Sequence, residues 1–231
     1  MQQAIALAFL LLIGSLAGCL EDEKVDYSNF EGCAEGDLGE ECSTDIEEEN
    51  LTSNVTSAEI GTYENQTLPL IEGSARGMNG TWGNWSSADL FNNSDNWVLI
   101  QFAATDCGHC WNGAELMSEL HENYSDQVTF MTFIINFTWS NSSLTEIAAF
   151  QDEANFSGCN GDRNNCNERP GSPHNWTYFD DRTLDWLIEF HMTGTPAYVL
   201  IQPDGIVGWH QKQRTESIQD AMANLFTPAG A

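Results

Sequence analysis

In Trp97-Val-Leu-Ile-Gln-Phe-Ala-Ala-Thr-Asp-Cys107-Gly108-His109-Cys110 a strand pattern runs directly into a pair of cysteines two residues apart. Val98 to Phe102 are strand formers, and the run ends in small residues. Cys107 and Cys110 follow, at the start of a segment with helical apolar spacing: Ala114, Leu116, Met117 and Leu120. A strand that feeds a helix through Cys-x-x-Cys is the setting in which this motif is redox-active. The first cysteine then sits at a helix N-terminus, where unpaired N–H groups and the helix dipole favour negative charge. A thiol there has its pKa lowered from ~8.5 into roughly the 3.5–7.5 range, and the thiolate is the nucleophile. His109, when protonated, also favours a neighbouring thiolate and makes the disulfide more oxidising. Half a zinc site has the same spelling, but zinc needs a second ligand pair at ribbon spacing. The remaining cysteines are nine and seven residues apart, and His121, His174, His191 and His210 show no ligand spacing. Neither a metal nor a cofactor is expected.

The charge balance excludes one class of function. Of 231 residues, 35 are acidic and 7 basic, for a net charge of −28. Nothing in such a chain could neutralise phosphates, so nucleic acid is not a partner. The acid excess favours solubility and suits high salt, which screens the self-repulsion. Length and a hydrophobic content of 41 % fit one folded domain with appendages.

Ala4 to Leu16 is an apolar run too short to span a bilayer comfortably, and it leads into Leu16-Ala17-Gly18-Cys19. This ending resembles the lipobox of prokaryotic lipoproteins, where the signal is cleaved before a cysteine that is then lipidated. The resemblance implies a signal peptide over 1–18, lipidation of Cys19 and a body anchored to the outer face of the cell membrane. The lipoprotein modification supplies the second acyl chain that stable anchoring needs. Met1-Gln2-Gln3 departs from the pattern in lacking Lys and Arg. An ordinary cleaved signal or an uncleaved anchor would also place the body outside the cytoplasm. Six cysteines remain beyond Cys19, and pairing by proximity gives Cys33–Cys42, Cys107–Cys110 and Cys159–Cys166, one of fifteen connectivities. Eleven Asn-x-Ser/Thr acceptors, from Asn50 to Asn175, would suit a glycosylated exported surface.

Residues 19–62 read as an acidic tether. Fourteen carboxylates between Glu21 and Glu59 face Lys24 alone, and apolar surface is too scarce to offset chain entropy. Cys33 and Cys42 would staple a small loop within it. Residues 63–231 read as the folded domain. Leu68 to Ile71, followed by Trp82 and Trp85, suggests a hairpin or strand, and 92–96 is turn chemistry. Cys110 to Tyr124 reads as one helix and Val128 to Phe137 as a buried strand. Ser142 opens a helix with Glu146 placed as a capping-box acid. Residues 156–176, rich in Gly, Asn and Pro, read as an insertion stapled by Cys159 and Cys166. A short helix over Thr183–His191, a strand over Ala197–Ile201, a Pro203-Asp204-Gly205 turn, a strand over Ile206–His210 and a helix over Ser217–Phe226 complete the order.

That order, with Cys107-Gly-His-Cys110 and Gly194-Thr195-Pro196 in place, resembles the thioredoxin fold and, within it, the TlpA/ResA-like membrane-tethered thiol–disulfide oxidoreductases. The resemblance covers roughly Leu68 to Phe226. It implies a three-layer α/β/α domain with a central mixed sheet. Cys107 becomes the attacking thiolate and Cys110 the resolving thiol. Pro196 becomes a cis-proline facing the site, with the Thr195 backbone pairing to an extended substrate segment. Protein thiols and disulfides are the implied substrates, with a redox partner protein completing the cycle and the chain acting as a monomer. Three departures bear on activity. Asp106 replaces the usual tryptophan and should oppose ionisation of Cys107. Gln101 stands where a buried acid shuttles protons. The early-helix glutamate is missing, which leaves Cys110 without an identified proton acceptor. The TlpA-like frame implies a reductase, whereas Cys-Gly-His-Cys is the disulfide-isomerase motif and tips the expectation slightly toward oxidase or isomerase chemistry. The alternative is a non-catalytic binding module in which Cys107–Cys110 is a structural disulfide.

Overall fold

In chain order, the hairpin β1 (Glu72–Arg76) and β2 (Trp82–Ser86) precedes β3 (Trp97–Ala103). Next come α1 (Gly108–Asn112), α2 (Ala114–Tyr124), β4 (Val128–Ile134) and α3 (Leu144–Asp152). A loop region then holds β5 (Ser157–Gly158), the single turn α4 (Cys159–Asp162) and β6 (Asn164–Asn165). β7 (Thr177–Asp180), α5 (Asp185–Glu189), β8 (Ala197–Ile201), β9 (Val207–His210) and α6 (Ile218–Leu225) follow. These elements belong to a computed structural model that describes residues 62–91, 95–228 and 230. The signal peptide, Cys19, the Cys33–Cys42 bridge and the acceptors Asn50, Asn54 and Asn92 lie outside the described residues.

β3 lies inside the sheet and has no solvent face. Val98, Leu99, Ile100 and Phe102 are wholly buried and Ala103 nearly so, as a strand covered on both sides requires. It pairs parallel to β4 and antiparallel to β8, and the seven strands run β2-β1-β7-β4-β3-β8-β9. Parallel neighbours need a crossover. α1 and α2 provide it from β3 to β4, and α3 with the loop region provides it from β4 to β7. The mixed sheet flanked by helices is the architecture the sequence implies.

Local differences from expectation have physical causes. The helix expected over Cys110–Tyr124 breaks at Gly113, whose N–H returns to the His109 carbonyl at 2.9 Å while α2 starts afresh. The N-cap of α3 is Ser143, not Ser142; its hydroxyl accepts from Glu146 N–H at 3.1 Å, whereas Ser142 turns inward to Thr105 at 2.5 Å. β7 has no counterpart in the sequence reading. Its four residues are too few to show a period, and it exists through pairing with β4 on one side and β1 on the other. The helix expected over Thr183–His191 contracts to α5, bounded by Leu184 and His191 in left-handed conformations.

The insertion is stapled by a Cys159–Cys166 disulfide whose two cysteines are fully buried. Arg169 anchors it further: the guanidinium, 2 % exposed, donates to the carbonyls of Phe150, Pro170 and Ser172. Gly171 then passes so close to α2 that a Cβ would lie 2.9 Å from the Ala114 carbonyl and 2.6 Å from Ser118 Oγ, at φ +87°. Gly171→Ala therefore combines a left-handed backbone with overpacking. It should lower stability by about 1–3 kcal/mol, read as a lower urea midpoint.

Candidate active site

β3 carries the chain into the site and α1 receives it. Cys107 is still extended (φ −85°, ψ 112°) and caps α1, with its sulfur accepting the Cys110 N–H at 3.1 Å. Its own carbonyl takes the Trp111 N–H at 2.9 Å. The Thr195–Pro196 peptide is cis, and it brings the Thr195 carbonyl to 3.5 Å from Cys107 Sγ. Cys107 and Cys110 are two thiols here, the reduced form of the pair expected as a disulfide. Cys107 retains 7 % of its surface and Cys110 1 %, so only the first can meet a partner without rearrangement.

The two thiols ionise in opposite directions. Cys107 falls from 9.0 to about 6, chiefly because the Cys110 thiol hydrogen-bonds it, and despite the opposing cost of burial. The Thr195 hydroxyl and the N–H groups of Cys110 and His109 assist. Cys110 moves well up, first through burial and then through Cys107. One proton shared over two sulfurs is thus held on the inner one. His109 is exposed and acts on Cys107 through its backbone N–H. Asp106 does not prevent the lowering; its half-buried carboxylate acts on Glu146 instead. The Thr195 hydroxyl oxygen is buried without a partner in hydrogen-bond geometry, yet its proximity favours both thiolates. It is a donor held ready beside the sulfurs.

Several neighbours were not visible in the sequence. Asn160, in the stapled insertion at φ +56°, donates its N–H to the Thr105 carbonyl at 2.9 Å. Its side-chain oxygen would lie 3.4 Å from a Cβ at Gly108. The insertion therefore walls one side of the motif, and only the paired cysteines hinted at a fixed structure there. Glu146 is no capping-box acid; burial raises its carboxyl, which lies against Thr105 and Ser142, and Oε1 is buried without a partner. Gln101, 2 % exposed, is bonded by Thr132 Oγ1 at 3.1 Å. Trp111 is buried against Phe150, while Trp82 and Trp85 belong to the distant hairpin. Among the described residues, no three His, Cys, Asp or Glu side chains come together as a metal site.

A thioredoxin family model matches residues 84–149, from the second hairpin strand through the motif into α3. The comparison with curated proteins found no match. Among solved structures, the reduced 2-Cys peroxiredoxin of Plasmodium vivax is 15 % identical at a TM-score of 0.51, covering 71 % of this chain and 94 % of that one. The mitochondrial 2-Cys peroxiredoxin of Plasmodium falciparum is 10 % identical at 0.50, covering 71 % and 92 %. The thioredoxin domain of a thiol-disulfide oxidoreductase from Bacteroides vulgatus is 15 % identical at 0.44, covering 65 % and 89 %. At such identities the likeness is one of fold. The chain has the thioredoxin fold, with its mixed central sheet flanked by helices.

A lowered pKa in the folded state stabilises that state only where the thiolate forms. In the reduced protein the Cys107 contribution is complete above the unfolded value of 9.0 and vanishes as pH falls through about 6. Reduced wild type should therefore gain on the order of 2–3 kcal/mol relative to Cys107→Ser between pH 5 and pH 8. Urea unfolding of both proteins at the two pH values reads the difference.

Proposed function

We propose that this chain is a thiol–disulfide oxidoreductase that exchanges disulfides with protein substrates through Cys107 and Cys110. The observation that carries the reading is the lowering of Cys107 to about 6 beside a buried Cys110 that moves the other way. A structural disulfide needs no such division between its sulfurs. That division speaks against a binding module held by an inert Cys107–Cys110 bond.

Oxidation of a substrate runs as two exchanges. A substrate thiolate attacks Cys107 in the disulfide form, the Cys107–Cys110 bond breaks, and Cys110 leaves and takes up a proton. A second substrate thiolate attacks the substrate sulfur of the mixed disulfide, and Cys107 leaves as a thiolate. Two electrons pass from the substrate dithiol to the pair, and a partner protein's disulfide removes them. A low-pKa thiol leaves faster, and stabilising the reduced pair makes the disulfide more oxidising. Both effects favour the oxidase or isomerase direction, in keeping with Cys-Gly-His-Cys. The Thr195 carbonyl and cis-Pro196 stand beside Cys107, where an extended substrate segment would pair. A lipobox-like Cys19 and the apolar run before it support export and tethering at the outer face of the cell membrane, and the acidic surface suits that setting.

Equilibration against glutathione buffers of graded potential tests the direction. The pair should reach half oxidation near about −200 mV or above, as in disulfide isomerases. A midpoint near −270 mV or below would make the chain a reductase. A pair that never exchanges would return it to the binding-module reading.

A further inference from the structure

Three strands deliver their following loops to one end of the sheet. β3, β4 and β7 run parallel, so the loops after them emerge together. β8 is antiparallel to β3 and begins at the same end. The loop carrying Cys107 leaves β3 there, and cis-Pro196 leads into β8 there. The loop after β4, residues 135–143, therefore stands beside the loop of the reacting sulfur. At its start the Ile135 N–H donates to the Ala103 carbonyl at 2.9 Å, and near its end the Ser142 hydroxyl bonds that of Thr105.

This loop is held at several points. Ser142 is buried; its N–H donates to Asn136 Oδ1 at 3.1 Å and its carbonyl accepts from Arg182 Nη1 at 2.9 Å. Arg182 is in turn fixed by both oxygens of the Asp180 carboxylate. At the tip, Phe137 and Ser140 close a turn. The Phe137 N–H donates to Ser140 Oγ at 2.9 Å, and the Ser140 N–H donates to the Phe137 carbonyl at 3.0 Å. Phe137 packs against the core, and the Trp139 indole lies flat on it, with ring centroids 4.8 Å apart and planes 11° from parallel. Trp139 is 79 % exposed, more than any other large apolar side chain among the described residues. Single apolar residues scattered on a surface are ordinary. An indole stacked at the tip of a pinned turn is different, because it holds exposed apolar area in one orientation.

We propose that Trp139 is a specificity-determining residue that binds an apolar side chain of the protein substrate, several residues away from the substrate's reacting cysteine. This preference presupposes the oxidoreductase reading above and gives its substrate class: extended segments with an apolar residue, above all an aromatic one, flanking their thiols. The distance fits. Thr105 precedes Cys107 by two residues and Ser142 follows Trp139 by three. With the two hydroxyls bonded, the Trp139 backbone lies within roughly 25 Å of the Cys107 backbone. An extended segment of about eight residues spans that length. A substrate strand with its sulfur at Cys107, beside the Thr195 carbonyl, thus reaches the indole. Because the ring is already fixed, little conformational freedom is lost on binding. Stacking and burial of an apolar partner then add directly to affinity, and tryptophan is enriched among the residues that dominate protein interfaces.

Single-turnover reduction of the oxidised protein by synthetic dithiol peptides tests the assignment. The peptide thiols close to a disulfide while the Cys107–Cys110 bond opens to two thiols. Each peptide carries one phenylalanine, placed at about four to eight residues from its first cysteine, or serine in the same place. Wild type should half-saturate at roughly a tenth of the concentration with the best phenylalanine peptide that its serine control requires. Trp139→Ala should lose that preference and Trp139→Phe should keep most of it. All three proteins should react equally with dithiothreitol, which is too small to reach the turn. A wild type indifferent to phenylalanine at every position, a preference that survives in Trp139→Ala, or a Trp139→Ala protein slowed equally with dithiothreitol would overturn the assignment. A wild-type protein that reacts with neither peptides nor dithiothreitol would instead overturn the oxidoreductase reading itself.

Discussion

Cys107 must be extended to continue out of β3 and must cap α1 with its sulfur. That single constraint organises the site. The cap brings the Cys110 N–H to the sulfur, and the same turn places the Cys110 side chain beside it, buried. The negative charge therefore settles on the accessible thiol and the proton on the inaccessible one. Charge-assisted hydrogen bonds from a helix start are among the stronger ones available to a protein. The cost of burying Cys107 is outweighed chiefly by the hydrogen bond from the Cys110 thiol, with the Thr195 hydroxyl and the backbone N–H groups of Cys110 and His109 assisting.

The surroundings hold that turn still. Asn160 ties the loop before Cys107 to an insertion that is itself pinned by a disulfide, by Arg169 and by the close pass of Gly171 over α2. The Thr195 carbonyl closes the opposite side at 3.5 Å. Beneath, Gln101 is a neutral amide that cannot accept the Cys110 proton; its side-chain oxygen accepts from the Thr132 hydroxyl instead.

Much of this was legible in the residues. The apolar Val98–Phe102 run, the cysteine spacing and the Thr195-Pro196 pair place β3, the start of α1 and the loop facing it, because each depends on local pattern or backbone chemistry. What could not be read depends on register. Nothing in Thr177-Tyr-Phe-Asp180 shows a strand between two others, since four residues carry no period. Glu146 stands at the capping-box position after Ser143, yet its carboxyl turns to the Thr105 and Ser142 hydroxyls, a tertiary contact that spacing does not show.

Cys107 is a thiolate near neutral pH and Cys110 is not. Brief alkylation of the reduced protein with iodoacetamide across the pH range, read peptide by peptide in a mass spectrometer, tests it directly. Labelling of Cys107 should show a midpoint at about 6, with no labelling of Cys110 in the same range. A Cys107 midpoint near its ordinary value of 9.0, or equal labelling of the two cysteines, would contradict it.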